Sequence, residues 1–415
     1  MTDTLYKTIQ YRYRNAAVRP RQTVLKMIPV STKSTKFTDS VIRRMTRVCN
    51  QYGAVNLSQG FPDFDPPKAV TERLSQVALT GPHQYAITWG AQNTREALAA
   101  KLKRDTGLNV DPNSELVITC GGTEAMLCAI MSTINPGEKI AIFSPFYENY
   151  GADAVLAGAE PIYVELRAPD FTFDSKELEQ AFRDGAKALV LCNPSNPSGR
   201  VFTRDELLEI ARIVEKYDAF VITDEVYEHI VYEPFHHTYF ATLPGMRERT
   251  VMCNSLSKTY SITGWRIGYI FAPAVVIEAA RKVHDFLTIG AAAPLQEAVV
   301  AGLKLPPSYY EELKADYTHH RDLFLKGLDD IGLKYFKPQG TYFVLVDISE
   351  FNYDSDYEFC KDLARVVKVG AVPGSSFFAR DERRYIRFHF AKKDETLNAA
   401  IANLSHLREL IKHKA

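Results

Sequence analysis

The sequence predicts an α/β protein: a large domain on a mainly parallel sheet of about seven strands with helices on both faces, plus a smaller α+β domain made from both chain ends. Three observations support this. From about residue 115 short, near-continuous apolar runs alternate with amphipathic stretches, the pattern of strands buried on both faces. Five of those runs end in Gly, Pro, Asn or charged residues. After about residue 306 long polar helical stretches take over. The chain has 415 residues, room for two or three domains. The reading assigns 1–36 to a basic extension, 37–80 and 306–415 to the small domain, and 81–305 to the large one.

Taken in order, FTDSVIRRMTRVCNQY (37–52) is amphipathic and is placed with the small domain. ELVITC (115–120) is a strand ending at Gly121-Gly122, and TEAMLCAIMSTI follows as a helix. KIAIFS (139–144) is a strand closed by Pro145, and EPIYVEL (160–166) is another. KALVLC (187–192) is a buried strand running into NPSNPSG. TRDELLEIARIVEKY (203–217) is a helix, with Thr203 and Glu206 spaced as a capping box. AFVITDE (219–225), TVMCNSLS (250–257) and WRIGYIFA (265–272) complete the large sheet. GTYFVLVDI (340–348) and RRYIRFHFA (383–391) supply strands to the small domain, between helices 308–330 and 394–413.

Composition excludes several classes. Net charge is zero and 24% of residues are charged, so no overall field favours nucleic acid. No apolar run approaches the length of a membrane span. The first fifty residues carry eleven Lys and Arg against two acids. The first thirty lack a secretory apolar core. They are Arg-rich and acid-poor like an organellar transit peptide, yet contain no Ser; a flexible or partner-covering arm is the preferred reading. Six scattered cysteines without a CxxC read as reduced residues of a cytoplasmic protein, and no metal site is expected.

Ligands of such sheets sit beyond the carboxyl ends of the strands. At one end Gly121, Gly122 and Thr123 open a helix whose N–H groups suit an anion, although a plain strand–helix turn explains them as simply. Tyr147, just past Pro145, can stack on a flat ligand or merely pack. The two Asn-Pro pairs of 193–199 make a rigid loop presenting Asn196. Asp224 follows four apolar residues and is costly to bury unless paired; a cationic ring nitrogen would pair it, and a helix-capping role is the alternative. In NSLSKTYSITGWRIGYI, Lys258 is suited to Schiff-base chemistry with an aldehyde, and Ser255 and Arg266 to a phosphate. A phosphate cradle, a stacking ring, a buried acid, an Asn/Tyr pair and a lysine are together what pyridoxal 5′-phosphate requires.

With NLSQGFPDF (56–64), HQYAITWG (83–90), GGTEA (121–125), NPSNPSG, ITDEVY (222–227), SLSKTYSITGWRIGY (255–269) and YIRFHFA (385–391), the chain resembles the class I/II aminotransferases, fold type I of the pyridoxal-phosphate enzymes. The resemblance runs from about residue 38 to 412. It implies that Lys258 forms the Schiff base and shuttles the substrate proton. It implies that Asp224 faces the pyridine nitrogen, that Asn196 and Tyr227 bond the ring oxygen, and that Tyr147 stacks. Gly122, Thr123, Ser255 and Arg266 would hold the phosphate. Tyr85 would reach the neighbouring subunit's phosphate in a homodimer with shared sites. Arg387, with Asn196 and the N–H of Gly60, would hold the substrate carboxylate. Ser198 replaces the more usual Thr.

QGFPDF is similar to the branch of kynurenine, glutamine–phenylpyruvate and methionine aminotransferases, which favours large neutral or aromatic donors. DFLTIGAAAPLQEA (285–298) occupies the selectivity region and contains no arginine. The expectation is transfer of an amino group from such a donor to 2-oxoglutarate or another 2-keto acid by a ping-pong route. A C–S β-lyase on the same scaffold and an aspartate aminotransferase are the alternatives. A transcription regulator would need a DNA-binding domain ahead of this fold, and a dead paralogue would not keep every expected cofactor contact.

Overall fold

The computed structural model describes residues 30–411, and most of the basic extension expected at 1–36 lies outside them. The chain divides into a unit of residues 1–35 and a unit of residues 36–415. Within its described part the first holds one 3₁₀ turn, Thr32–Thr35.

The second unit is built on an eight-stranded sheet. Its order is Leu116–Thr119, Gly268–Phe271, Thr250–Ser255, Phe220–Asp224, Ala186–Cys192, Lys139–Ser144, Glu160–Arg167, Thr172–Phe173. Five central strands, from Thr250–Ser255 to Glu160–Arg167, run parallel. Gly268–Phe271 is antiparallel to both neighbours. The eighth strand, two residues long and also antiparallel, is an edge addition that the sequence reading did not include. Alternation decides which face each side chain serves. Along Ala186–Cys192, Leu189 and Leu191 join one buried cluster, while Ala188, Val190 and Cys192 join the other. Helices cover both clusters, so most residues of the central strands are removed from water on one side or the other.

A four-stranded antiparallel sheet has the order Lys334–Phe336, Phe343–Asp347, Tyr385–His389, Val372–Pro373. Val55–Asn56 pairs in parallel with Val369–Gly370, and Met45 and Leu57 share a core with Phe324, Val344 and Phe388. Helix Val41–Tyr52 thus packs with the C-terminal elements. It starts at Ser40, whose side chain accepts from the Arg43 N–H, and stops at Gly53 in the left-handed region. The expected capping box of Thr203 and Glu206 is present on helix Arg204–Lys216.

Two strand boundaries around Lys258 differ from the sequence reading. The strand expected over 250–257 ends at Ser255, where that side chain accepts from the Ser257 N–H at 3.1 Å and caps the short helix Leu256–Thr259. The strand expected from 265 begins only at Gly268, because Thr263–Trp265 is a 3₁₀ turn and Arg266 has φ of 59°. Lys258 therefore rides on a helical turn. The terminal helix expected over 394–413 is broken into Asp394–Leu404 and Leu407–Leu410.

Candidate active site

The carboxyl ends of the parallel strands open into a cavity of about 780 Å³, within the range of cofactor sites. Eleven of the twelve residues singled out from the sequence line it: Gly60, Gly122, Thr123, Tyr147, Asn196, Asp224, Tyr227, Ser255, Lys258, Arg266 and Arg387. Tyr85 does not. It stands 83% exposed in the loop before helix Gln92–Thr106.

Register brings these residues together. Cys192, which leads into the Asn196 loop, pairs with Asp224 in the sheet, and Asp224 pairs with Cys253, two residues before Ser255. Asp224 is buried and accepts the Tyr150 hydroxyl at 2.5 Å and the Val226 N–H at 3.3 Å. Burial pushes its carboxyl up to about 6, against the opposing pull of these two donors and of Lys258. Tyr150 did not emerge from the sequence, although it falls one helical turn after Tyr147, whose ring meets it edge-on with centroids 5.8 Å apart.

Lys258 is half-buried, and its Nζ donates to the Gly60 carbonyl at 3.1 Å. The Tyr342 hydroxyl donates to the same carbonyl at 3.0 Å. Tyr227 is buried edge-on against Tyr342 and Phe343. Arg387, from the middle of strand Tyr385–His389, is 1% exposed. Its guanidinium donates to Asn196 Oδ1 at 2.7 Å and to the Ser58 carbonyl at 3.1 Å. It lies between two rings, 4.0 Å from the centroid of Phe343 and 4.5 Å from that of Phe377. Burial lowers its pKa to about 10, so it remains a cation at neutral pH. Because Asn196 accepts with its oxygen, its amide N–H₂ is left to donate into the cavity.

The glycines show what shape the cavity floor must keep. A Cβ on Gly268 would sit 2.5 Å from the Gly121 carbonyl carbon and 2.7 Å from the Gly122 nitrogen. A Cβ on Gly121, whose φ is +86°, would fall 2.2 Å from Arg266 Nη2. Strand and helix start thus meet backbone to backbone, and the guanidinium lies across the bare glycine. Ser255 and Thr123 flank this point. Cation, hydroxyls and helix N-terminus together suit a phosphate dianion. With the buried acid and the lysine, these residues fit pyridoxal phosphate.

The sequence reading did not find Ser40, Arg43 or Glu148 on the cavity wall. Glu148 accepts from the Ser40 hydroxyl and from the Val41 N–H at 3.1 Å, latching the start of helix Val41–Tyr52 to the site. These partners stand more than a hundred residues apart, beyond the reach of local pattern. Arg281, close in sequence to the selectivity region 285–298, donates to the Asn113 and Leu116 carbonyls and stacks on Trp89.

The family model for aminotransferase class I and II matches residues 52–404. The chain belongs to the class I and II aminotransferases. It is 36% identical to the methionine aminotransferase of Escherichia coli K12 over 382 residues, covering 92% of this chain and 99% of that one. It is 35% identical to mouse kynurenine–oxoglutarate transaminase 3 over 386 residues, covering 86% and 85%. The solved N-succinyldiaminopimelate aminotransferase of Mycobacterium tuberculosis superposes with a TM-score of 0.88 at 34% identity, covering 91% of this chain and all of that one. The aminotransferase is accordingly a pyridoxal-phosphate-dependent transaminase of fold type I, acting on amino acids and keto acids. Among the described residues no helix is long and apolar enough to cross a membrane.

Proposed function

We propose that this aminotransferase takes amino groups from aromatic or other large neutral L-amino acids, with methionine, glutamine, phenylalanine and kynurenine as the types, and passes them to a 2-keto acid. The carrying observation is the wall of the cavity that also holds Arg387 and Lys258. Ile42, Phe61, Met126, Leu127, Leu287 and Phe343 give it apolar surface, which favours an apolar side chain. Arg43, exposed on the same wall and near Tyr147, offers a guanidinium to the second carboxylate of a dicarboxylic acceptor such as 2-oxoglutarate.

Pyridoxal phosphate, when bound, supplies the aldehyde that exchanges amines and the ring that accepts electrons as the substrate Cα–H bond breaks. The chain's residues do the rest. Arg387 binds the α-carboxylate through its guanidinium, held flat by Phe343 and Phe377, and the Asn196 amide helps. This orients the Cα–H bond toward Lys258. Lys258 Nζ takes the Cα proton and holds it for return. Asp224, steadied by Tyr150, would serve the ring nitrogen as an anion. Tyr227 and Asn196 would donate to the ring oxygen, Tyr147 would cover the ring, and Gly122, Thr123, Ser255 and Arg266 would hold the phosphate. The Gly60 N–H assists at the carboxylate.

We also propose a homodimer. Tyr85, Ile87, Phe286, Leu287 and Ile289 are all large, apolar and 44–92% exposed. Thr88 bonds Asp285 at 3.4 Å, so the two loops carrying them are neighbours. Leu287 also lines the cavity. A second copy seated on this patch would bury it and receive Tyr85 at its own phosphate. Residues 37–80 with 306–415 then form the smaller domain around residues 81–305. A cytoplasmic setting suits the six unpaired cysteines.

The test is a half-reaction. Amino acids are added singly to the loaded enzyme with no keto acid, and the cofactor's absorbance is followed. Rapid, stable conversion to the amine form by aromatic donors, methionine or glutamine is expected. Conversion by aspartate and glutamate alone would refute the substrate assignment, and steady release of pyruvate and ammonia would point to the β-lyase. Replacement Lys258→Ala should abolish conversion.

A further inference from the structure

Behind the phosphate cradle lies a buried hydrogen-bonded pair that the reaction above does not use. His284, on helix Ala274–Thr288, is fully buried. Its Nδ1 lies 2.8 Å from Glu124 Oε1 and its Nε2 3.0 Å from the Thr88 carbonyl. A carboxylate and a carbonyl are both acceptors, so whichever ring nitrogen carries a hydrogen has a partner for it. Glu124 stands in the first turn of helix Gly122–Thr133. Its second oxygen accepts the Cys120 backbone N–H, and Thr288 Oγ1 donates to the first at 2.9 Å. Burial raises the Glu124 carboxyl, but the bonds from His284 and Cys120 outweigh it and hold the group below its ordinary range.

The consequence is geometric. One carboxylate is bonded to the residue before Gly121 and is itself carried by the residue after Thr123. Gly121, Gly122 and Thr123 are therefore spanned by a single side chain, and His284 fixes where that side chain sits. The same histidine holds Thr88, three residues after Tyr85. Cys128 Sγ comes within 4.8 Å of the Glu124 and His284 donor atoms, a grouping with the look of a metal site. The direct 2.8 Å bond occupies the place an ion would need. A buried polar pair adds little stability over apolar residues of the same shape, so orientation is the better account of its presence.

We infer that His284 is a positioning residue for the cofactor's phosphate: through Glu124 it sets Gly122 and Thr123, and through Thr88 it ties them to the loop of Tyr85. The inference rests on the pyridoxal phosphate reading of the cavity. Its test is equilibrium binding of pyridoxal phosphate and of pyridoxal, which lacks the phosphate, to the apoenzyme. Wild type is compared with His284→Leu, His284→Gln and Glu124→Gln, with circular dichroism to confirm folding. His284→Leu should weaken pyridoxal phosphate about tenfold or more, as expected for loss of hydrogen bonds to a charged group, and leave pyridoxal within about twofold. His284→Gln, which keeps one donor, should fall between. The near-isosteric Glu124→Gln should show the same selective loss, and decides the matter if His284→Leu does not fold. Equal losses for both ligands, or no loss for either, overturn the inference. A wild-type protein that prefers neither ligand overturns the cofactor reading as well, and so is told apart from failure of His284 alone.

Discussion

Replacing Asp224 by Asn should stabilise the apoenzyme while destroying its activity. In the unliganded chain Asp224 has been taken out of water without a cation bonded to it, and its carboxyl is pushed from 3.8 to about 6. At about 1.4 kcal/mol per pKa unit, that rise corresponds to about 3 kcal/mol. The sign follows from linkage. A carboxyl with a raised folded-state pKa favours folding fully below 3.8, and this contribution is lost as pH rises through about 6. Wild-type apoenzyme therefore carries the full cost of an ionised Asp224 at pH 8 and almost none at pH 4. Asn keeps an oxygen for the Tyr150 hydroxyl and cannot ionise. Urea denaturation of both apo forms at fixed protein concentration, from pH 4 to pH 8, gives the comparison, and differences between the two cancel every group they share. The Asn variant should gain on wild type by up to about 3 kcal/mol between pH 4 and pH 8, with half the gain at about pH 5, midway between the two pKa values, and most of it present by about pH 6. Bound cofactor should cancel the gain, because the ring nitrogen gives the wild-type carboxylate its partner. A stability difference that is flat across this range, or that favours wild type at pH 8, would refute the reasoning.

Three further outcomes follow from the site. Tyr150→Phe removes the 2.5 Å bond to Asp224; a hydrogen bond to a charged group is worth about 1.5–3 kcal/mol, so the acid limb of the kcat/KM profile should move up by about one to two pH units. Arg387→Lys loses the bonds to Asn196 and Ser58 and the seat between two rings; kcat/KM should fall by about 2–5 kcal/mol for amino-acid and keto-acid substrates alike, since both carry the carboxylate it binds. Gly268→Ala places a methyl 2.5 Å from the Gly121 backbone; overpacking of about 1–3 kcal/mol should separate strand from helix start, lowering thermal stability and weakening pyridoxal phosphate more than pyridoxal.

The large sheet was legible because its strands are apolar on both faces and each ends in a residue that cannot continue it. The site was legible for the same reason: Asn196, Asp224 and Lys258 are polar residues placed where an apolar run stops. What escaped depends on contact across the fold. Nothing local marks Glu148 as the partner of Ser40, or Glu124 as the partner of His284. Gly268 was read as part of a strand, and only its approach to Gly121 explains why no side chain fits there. The strand boundary at Ser255 was missed because a run of alternating apolar and hydroxyl residues suits a strand and a capped helical turn equally well.

The buried charges themselves separate structure from function. Lys101 and Glu228 are both buried, yet the lysine bonds Glu228 at 2.7 Å and Asp105 at 3.0 Å, and Tyr239 completes the carboxylate at 2.8 Å. Such a set needs no ligand. Asp224 and Arg387 are buried just as deeply, but neither is satisfied within the chain. Asp224 has neutral donors and no bonded cation, and its carboxyl is raised. Arg387 has no anion bonded to it, its pKa is lowered, and its Nε has no partner at all. A protein keeps such groups only where something else repays the desolvation. A cationic ring nitrogen at the one and an α-carboxylate at the other are the complementary charges, and both line a single cavity with Lys258. The unpaired state of these two residues, joined to their place on one cavity with Lys258, is what identifies them as the site's working ends.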